Sequence, residues 1–135
     1  RNQGAATLIF RFNNNLDNKE CYAVNIDGGS HKCKFWRWQE NSDYQLIDEK
    51  EVKATDDEKY TLKVVAYDSW ISYYVNDTLI ASTGDYTLQK DDKGQSTVLT
   101  EGSLGLLNWN GEMTFQNTYY TIYIHRANYD SVCKE

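Results

Sequence analysis

Hydrophobic and polar residues alternate with a period of two along most of this chain, which is the side-chain spacing of a β-strand. The first run, Ala5–Asn13 (AATLIFRFN), places Phe10 and Phe12 on one side of the predicted strand. Arg11 falls on the other row, so we expect it to face outward. Further runs of this kind occupy residues 21–27, Lys32–Gln39, 44–52, 60–66, Trp70–Val75, 79–81, 102–109, 113–115 and 119–125.

This pattern predicts one all-β domain covering residues 1–135. Turn-forming residues such as Asp27-Gly28-Gly29 separate the runs, and the chain has no Pro and no convincing amphipathic helix. Roughly nine to eleven short strands separated in this way are typical of an antiparallel β-sandwich or jelly roll. A chain of 135 residues is long enough to bury a core of its own.

The stretch GSLGLLNWNGE contains the most distinctive group of polar and aromatic residues. A predicted strand ends at Trp109, and the turn Asn110-Gly111 follows it. Here an indole ring is flanked by the amides of Asn108 and Asn110 and the carboxylate of Glu112. A flat apolar face beside planar hydrogen-bonding groups is what a sugar-binding surface requires. The alternative is that Trp109 fills one end of the core, and the spacing does not separate the two interpretations.

The run Lys32–Gln39 (KCKFWRWQ) is apolar on both of its rows. Trp36 and Trp38 share one row, while Arg37 falls on the other with Cys33 and Phe35. The core needs only one face of a strand, so we favour an exposed platform. In this interpretation two rings and an arginine stack against sugars and bind hydroxyls. The alternative is a strand that is buried on both sides.

The charge balance argues against nucleic acid as a partner. The net charge is −6 and the pI is near 4.9, whereas nucleic-acid binding requires a basic surface. No segment approaches the length of a membrane span, so we expect no membrane contact, and we expect a monomer. The chain begins at Arg1 without a signal-like stretch, and we interpret it as a mature or excised piece.

The cysteines and histidines do not indicate a cofactor site. The three Cys form no C-x-x-C motif, and the two His are isolated from one another. Cys21 and Cys33 could form a disulfide across a hairpin, but we favour reduced thiols. We expect no cofactor. Calcium is an alternative at the polar loop that contains Asp17, because oxygen ligands are concentrated there, although a solvated loop is the favoured interpretation.

No catalytic constellation is recognisable. Neither His lies beside a strand-to-helix elbow, and Asp27-Gly28-Gly29-Ser30 lacks the lysine and helix of a phosphate-binding loop. Paired carboxylates for glycoside hydrolysis stay open, since any two acids could meet in space. The sequence therefore indicates recognition rather than reaction, and we expect no enzyme activity.

Six segments taken in order resemble a known family: LIFRFN, YAVNID, KFWRW, YTLKVVA, ISYYVNDTLI and GSLGLLNWNGEMTFQNTYYTIYI. They resemble the C-terminal β-sandwich domain of family 32 glycoside hydrolases, such as levanases, inulinases and fructanases, and are most similar to carbohydrate-binding module family 66. The resemblance covers residues 5–124. It implies a concanavalin-like jelly roll, secreted or at the cell surface. Such a module binds the terminal fructose of levan or inulin and is tethered to a separate catalytic domain.

The resemblance also implies site residues. The arginine of the FR pair corresponds to Arg11, and the Trp-Asn pair before the last hairpin corresponds to Trp109 and Asn110. The match is less strict at Asp27 and at the strand residues Trp36, Arg37 and Trp38.

Our leading hypothesis is a non-catalytic fructan-binding module. Arg11 would donate hydrogen bonds to vicinal hydroxyls, and Asp27 or Glu112 would accept them. Trp109 or Trp36 would cover the apolar face of the sugar ring. The alternative is a structural β-sandwich domain that packs on a family 32 catalytic domain and buries these rings without a sugar site of its own. A sandwich-shaped enzyme acting on sugars is a more distant alternative.

Overall fold

The computed structural model describes residues 5–13, 19–40, 44–53, 59–67, 69–84, 99 and 102–109. Eight strands lie within these ranges. They are β1 (Ala5–Asn13), β2 (Glu20–Asp27), β3 (Lys32–Gln39), β4 (Gln45–Glu51), β5 (Leu62–Tyr67), β6 (Trp70–Val75), β7 (Thr78–Gly84) and β8 (Ser103–Trp109). The predicted strands at 113–115 and 119–125 lie outside the described residues.

The strands form two antiparallel sheets. One has five strands in the order β4-β3-β2-β1-β8, and the other has three in the order β5-β6-β7. Every described strand pair is antiparallel, so the predicted all-β antiparallel sandwich is confirmed. The described ranges include no helix long and apolar enough to cross a membrane.

The core lies between the two sheets and consists of alternate residues of the strands. Tyr22 and Val24 of β2 and Phe35 of β3 are buried there against Ile71 and Tyr73 of β6. Phe35 meets Tyr22 edge-on, with ring centroids 5.4 Å apart, and its centroid is 6.3 Å from that of Tyr73. Burial of each large side chain stabilises the fold by about 1.5–3 kcal/mol, so this row of rings holds the sheets together.

One hydrogen bond joins the two sheets through the core. The Tyr73 hydroxyl of β6 donates to Asp48 Oδ2 of β4 at 2.7 Å. Burial, together with this bond to a carboxylate, raises the pKa of the Tyr73 phenol. Tyr73 therefore stays protonated and remains a donor over the ordinary pH range.

A β-bulge near the end of β1 reverses the alternation expected for Arg11 and Phe12. The register of β1 shifts between Phe10 and Asn13 against β2, and a shift also occurs beside β8. Arg11 lies in the bulge with φ 52°, a left-handed conformation. An extra residue turns the following side chains to the opposite face. The prediction that Arg11 faces outward is therefore wrong: Arg11 is 8% exposed.

Gly102 allows β8 to approach this bulge. Its φ is +143°, and a Cβ added there would lie 2.5 Å from the carbonyl carbon of Arg11 and 2.6 Å from the carbonyl oxygen of Phe12. Side chains other than hydrogen cannot occupy that space, because both neighbours are backbone atoms. Glycine at this position is thus required by the bulge that places Arg11 and Phe12.

Strand β8 has Leu104 and Leu106 on one row and Gly105 and Leu107 on the other. A row with two leucines could face a core, but Leu104 and Leu106 are exposed. Among the described strands, β8 pairs only with β1, and the three-stranded sheet does not extend across it. The other row includes Leu107, which lies on the face described below.

Cys21 and Cys33 are free and buried. Cys33 belongs to the core, whereas Cys21 lies on the opposite face of the same sheet. Side chains on opposite faces cannot form a disulfide with each other, so a Cys21–Cys33 bridge is excluded. The third cysteine of the prediction, Cys133, lies outside the described residues. Burial raises the pKa of Cys21 to about 11 and that of Cys33 to about 12.

Candidate functional site

A groove of about 580 Å³ lies on the face of the five-stranded sheet that points away from the three-stranded sheet. Small residues of the central strands, such as Thr7 and Ala23, line it together with larger side chains from β3. This volume is within the range of small-molecule binding sites. We refer to it as the outer groove.

Four aromatic rings line the outer groove: Phe12, Trp36, Trp38 and Tyr44. Phe12 stacks on Trp38 with ring centroids 6.4 Å apart and an interplanar angle of 11°. Trp36 meets Tyr44 edge-on at 6.2 Å. The bulge at Arg11 makes the first pair possible, because it brings Phe12 to the outer face. Rings arranged in this way provide an apolar surface of the kind on which sugars can stack.

Asp27 and Lys34 are the charged side chains among the described residues that line the groove. Lys34 Nζ contacts Asp27 Oδ2 at 3.0 Å and lies 5.7 Å from the centroid of the Trp36 ring. A lysine ammonium has three donors, so Lys34 has donor capacity beyond this ion pair.

The carboxylate of Asp27 closes the turn between β2 and β3. Its Oδ1 accepts from the backbone N–H groups of Gly29 and Ser30, and its Oδ2 accepts from the Ser30 hydroxyl and from Lys34. Burial acts to raise the pKa of Asp27, but these hydrogen bonds outweigh burial and lower it. Asp27 lines the groove, yet its oxygens are engaged in holding the turn and Lys34.

Two polar atoms on the groove residues are buried and have no hydrogen-bond partner. They are Oδ1 of Asn25, an acceptor, and Nε1 of Trp36, a donor. Asn25 is opposite Lys34 in the strand register, which makes it a diagonal neighbour of Trp36. Buried polar groups are nearly always paired, so an acceptor and a donor so close together suit a ligand with hydroxyl groups.

Arg37 does not belong to the groove, and its prediction as part of the exposed platform is wrong. Its side chain is 0% exposed on the core side of β3, where Nη2 donates to Glu20 Oε2 at 2.7 Å. Gln39 also donates to this oxygen, and the guanidinium lies 5.9 Å from the centroid of the Tyr22 ring. Strand alternation places Arg37 on the face of β3 opposite to Trp36 and Trp38. Its positive charge is therefore inside the protein, where it is paired with Glu20.

Arg11 is also used within the protein. Its Nη1 donates to the carbonyl oxygen of Leu99 at 2.9 Å, and the backbone N–H of Leu99 donates to the Tyr22 hydroxyl. Both groups hold Leu99 against the core.

The structure does not bring Arg11 and Trp109 together. Strands β1 and β8 are neighbours, but Trp109 pairs with Ala5 at the opposite end of β1 from Arg11. At roughly 3.3 Å per residue, their backbones lie about 20 Å apart along the strand. One monosaccharide cannot span that distance.

The remaining predicted residues fall at the edge of the described chain or beyond it. The backbones of Asn108 and Trp109 are described as the end of β8, whereas Asn110 and Glu112 lie outside the described residues. Most of the predicted calcium loop, including Asp17, also lies outside them. Within the described ranges, no three His, Cys, Asp or Glu side chains form a cluster that could hold a metal ion.

Sequence reasoning missed Phe12, Asn25, Lys34 and Tyr44 as groove residues. Asn25 and Lys34 could have been found from strand alternation, because they share the rows of Asp27 and Trp36. Phe12 was not predictable in this way, since its face depends on the bulge. Tyr44 lies between β3 and β4 and reaches the groove through a ring contact with Trp36 of β3, which strand alternation alone does not predict.

Comparison with known proteins identifies relatives that act on fructan. The chain is 65% identical over 122 residues to a fructan beta-fructosidase of Streptococcus mutans, covering 90% of this chain and 9% of that protein. It is 30% identical over 115 residues to a levanase of Bacillus subtilis, covering 85% of this chain and 15% of the levanase. No protein-family model matches the chain.

Among solved structures, the chain is similar to the carbohydrate-binding module CBM66 from Bacillus subtilis. The TM-score is 0.63 at 28% identity, over 81% of this chain and 59% of that one. The predicted resemblance to carbohydrate-binding module family 66 is therefore confirmed. The chain spans only a small part of the two curated relatives, 9% and 15% of their lengths.

Proposed function

We propose that this chain is a non-catalytic module that binds fructan, and that the outer groove receives the sugar. The observation that supports this site is the combination of four rings with unpaired buried polar atoms on one sheet face. The similarity to CBM66, and to short parts of a fructan beta-fructosidase and a levanase, supports fructan as the ligand. The same similarity supports the proposal that the module is tethered to a glycoside hydrolase catalytic domain in a secreted or cell-surface protein.

In this proposal, each groove residue contributes one kind of interaction. Trp36 and Trp38 stack against the apolar faces of fructose units. Lys34 donates a hydrogen bond to one sugar hydroxyl through an ammonium N–H that Asp27 does not use. Asn25 Oδ1 accepts a hydrogen bond from another sugar hydroxyl. Asp27 orients Lys34 rather than binding sugar directly.

The end of β8 remains part of the proposed site. Trp109 pairs through its backbone with Ala5, and Ala5 lines the outer groove. The four residues from this segment that we retain as candidates for sugar contact are Asn108, Trp109, Asn110 and Glu112. Arg11 and Arg37 are assigned to the stability of the fold instead.

The experiment is a calorimetric titration with levan, inulin and fructose, with a glucan as the negative control. A small polar ligand in an open groove should bind in the micromolar to millimolar range, about −4 to −8 kcal/mol. Trp36→Ala should weaken levan binding by about 1 kcal/mol or somewhat more. The matched control is Leu106→Ala, which removes an exposed side chain that alternates with the groove residue Leu107.

The proposal fails if levan and inulin give no more heat than the glucan, or if Leu106→Ala weakens binding as much as Trp36→Ala does. The absence of catalysis is tested separately. Incubation of the chain with levan should release no sugar above a buffer blank. Sugar release that is lost on replacing an acidic residue would identify an enzyme instead.

A further inference from the structure

A second group of exposed aromatic side chains lies on the opposite side of the sandwich. Tyr67 of β5 pairs in register with Trp70 of β6, and Tyr74 follows on the same face of the three-stranded sheet. Tyr67 is 52% exposed and Trp70 is 49% exposed. The same surface includes Ser72 of β6 and Ser82 of β7. We refer to the surface formed by these five residues as the second aromatic face.

The indole of Trp70 lies along strand β7. Its Nε1 donates to the Ser82 hydroxyl at one end of the ring system. At the other end, Cε3 and Cζ3 lie 3.8 Å from the position that a Cβ on Gly84 would occupy. These two contacts hold the ring against β7, and Trp70 remains 49% exposed. An aromatic side chain is therefore held at the surface before any ligand arrives.

Polar groups beside this ring match a polyhydroxylated ligand. The hydroxyls of Ser72 and Ser82 lie 2.8 Å apart and share a hydrogen bond. Lys63 Nζ lies 4.2 Å from the centroid of the Tyr74 ring. Hydroxyl groups both donate and accept, so the serine pair can exchange hydrogen bonds with sugar hydroxyls at little cost.

Charge favours a neutral occupant. Lys63 is the one charged side chain in strands β5, β6 and β7, although the whole chain has a net charge of −6 and 25% charged residues. The described strand residues of this face include no carboxylate, and a surface of aromatic rings and hydroxyls complements an uncharged polysaccharide. It offers little to a charged protein surface, which would require ion pairs or a larger apolar area.

We infer that the second aromatic face is a second polysaccharide-binding surface, which contacts the side of a neutral glycan chain through Trp70. The inference rests on the proposed function for the class of ligand. The two sheets of a sandwich pack about 10 Å apart, so the outer groove and the second aromatic face point in opposite directions. A short oligosaccharide cannot contact both. One module therefore binds two polymer segments, with higher retention on polymers than on oligosaccharides.

The test compares a soluble fructo-oligosaccharide with high-mass levan for the wild-type chain and for Trp70→Ala, Leu79→Ala and Trp36→Ala. Trp70→Ala should bind the oligosaccharide as wild type does but be retained roughly three- to ten-fold less on immobilised levan, because one stacking contact is lost. It should also lose the ability to increase light scattering from levan solutions, since cross-linking requires two surfaces. Leu79→Ala is the matched control, because Leu79 is exposed beside Tyr74 and has no ring.

The outcomes separate this inference from the proposed function. If Trp36→Ala no longer binds the oligosaccharide while Trp70→Ala is retained on levan as the wild type is, the inference of a second binding surface is refuted and the proposed function stands. If no variant and no wild-type protein binds either sugar, both fail. Equal loss of levan retention with Leu79→Ala would show that the loss does not depend on an aromatic ring, and a lower molar mass of Trp70→Ala in light scattering would indicate contact with a second copy. Either result overturns the inference.

Discussion

The two faces of the five-stranded sheet contain similar residues but use them in opposite ways. On strand β3, Phe35 and Arg37 are fully buried on the core face, and Arg37 is paired with Glu20. The neighbouring Trp36 and Trp38 point to the other face and line the outer groove. The aromatic and cationic residues that appear equivalent in sequence are thus divided into a structural set and a candidate binding set. The division follows from which face the second sheet covers.

The comparison teaches where charge is available for a ligand. On the core face, the buried Arg37 is paired with the Glu20 carboxylate, which also accepts a hydrogen bond from Gln39. On the groove face, Lys34 is only partly satisfied by Asp27, because a lysine ammonium has further donors. Recognition in the groove is expected to depend on Lys34 rather than on either arginine.

The largest expected effect is on the core face. Arg37→Ala would leave the Glu20 carboxylate buried without its partner, so the free energy of unfolding should fall by roughly 3–5 kcal/mol. Chemical denaturation measures this change. If the variant does not fold, the double variant Glu20→Leu with Arg37→Met provides the test, since replacing a buried pair with apolar residues should restore most of the stability. A stable Arg37→Ala protein that no longer binds levan would contradict the division of the two faces.

The next effect concerns the bulge that brings Phe12 to the groove. Gly102→Ala would place a Cβ against the backbone of Arg11 and Phe12, and the forced shift should cost about 1–3 kcal/mol. Levan affinity should fall as well, because Phe12 would no longer stack on Trp38. Gly105→Ala is the control, since a Cβ there meets only Ile9, at 3.7 Å. Equal melting temperatures for the two variants would show that the bulge does not depend on Gly102.

A smaller effect is expected on the groove face. Trp38→Ala should weaken levan binding by about 0.5–1.5 kcal/mol through the lost stacking surface, as measured by calorimetry. Its effect on stability should be well below that of Arg37→Ala, because Trp38 is only partly buried. A loss of stability of 3–5 kcal/mol would instead support the alternative in which these rings are structural.

The smallest effect at neutral pH concerns the two thiols. Burial raises the pKa of Cys21 to about 11 and that of Cys33 to about 12, so both are protonated near pH 7 and should react slowly with thiol reagents. Because Cys21 lines the groove, levan should slow its labelling and leave Cys33 unchanged. Mass spectrometry of labelled peptides measures both rates. Equal protection of the two thiols would contradict a ligand in the groove.

The same pKa shifts predict the pH dependence of stability at high pH. The folded state favours the protonated thiols, so their contribution to stability is fully present below about pH 9, the ordinary thiol pKa. It is lost as the pH rises through 11 and 12. Thermal melts between pH 8 and 11 should show a falling melting temperature, and the fall should be smaller in Cys33→Ala. An unchanged slope in that variant would refute the assignment to Cys33.

The sequence by itself determined the strands and the class of fold. The period of two predicted β1, β3 and β6 with the bounds that the structure has, because side chains that alternate between core and solvent leave a local pattern. It also predicted that Trp36 and Trp38 share a face. The order of several weak motifs was enough to identify the family resemblance.

Only the tertiary structure decided which face forms the core and where each charge lies. The bulge at Arg11 exchanges the faces of Arg11 and Phe12, and it lies where Gly102, which is distant in sequence, packs against the backbone of both residues. The pairing of Arg37 with Glu20 likewise depends on the register between β2 and β3. Local alternation is set by backbone geometry and is visible in the sequence. Contacts between distant segments depend on register and on sheet packing, and these become defined only when the whole sandwich forms.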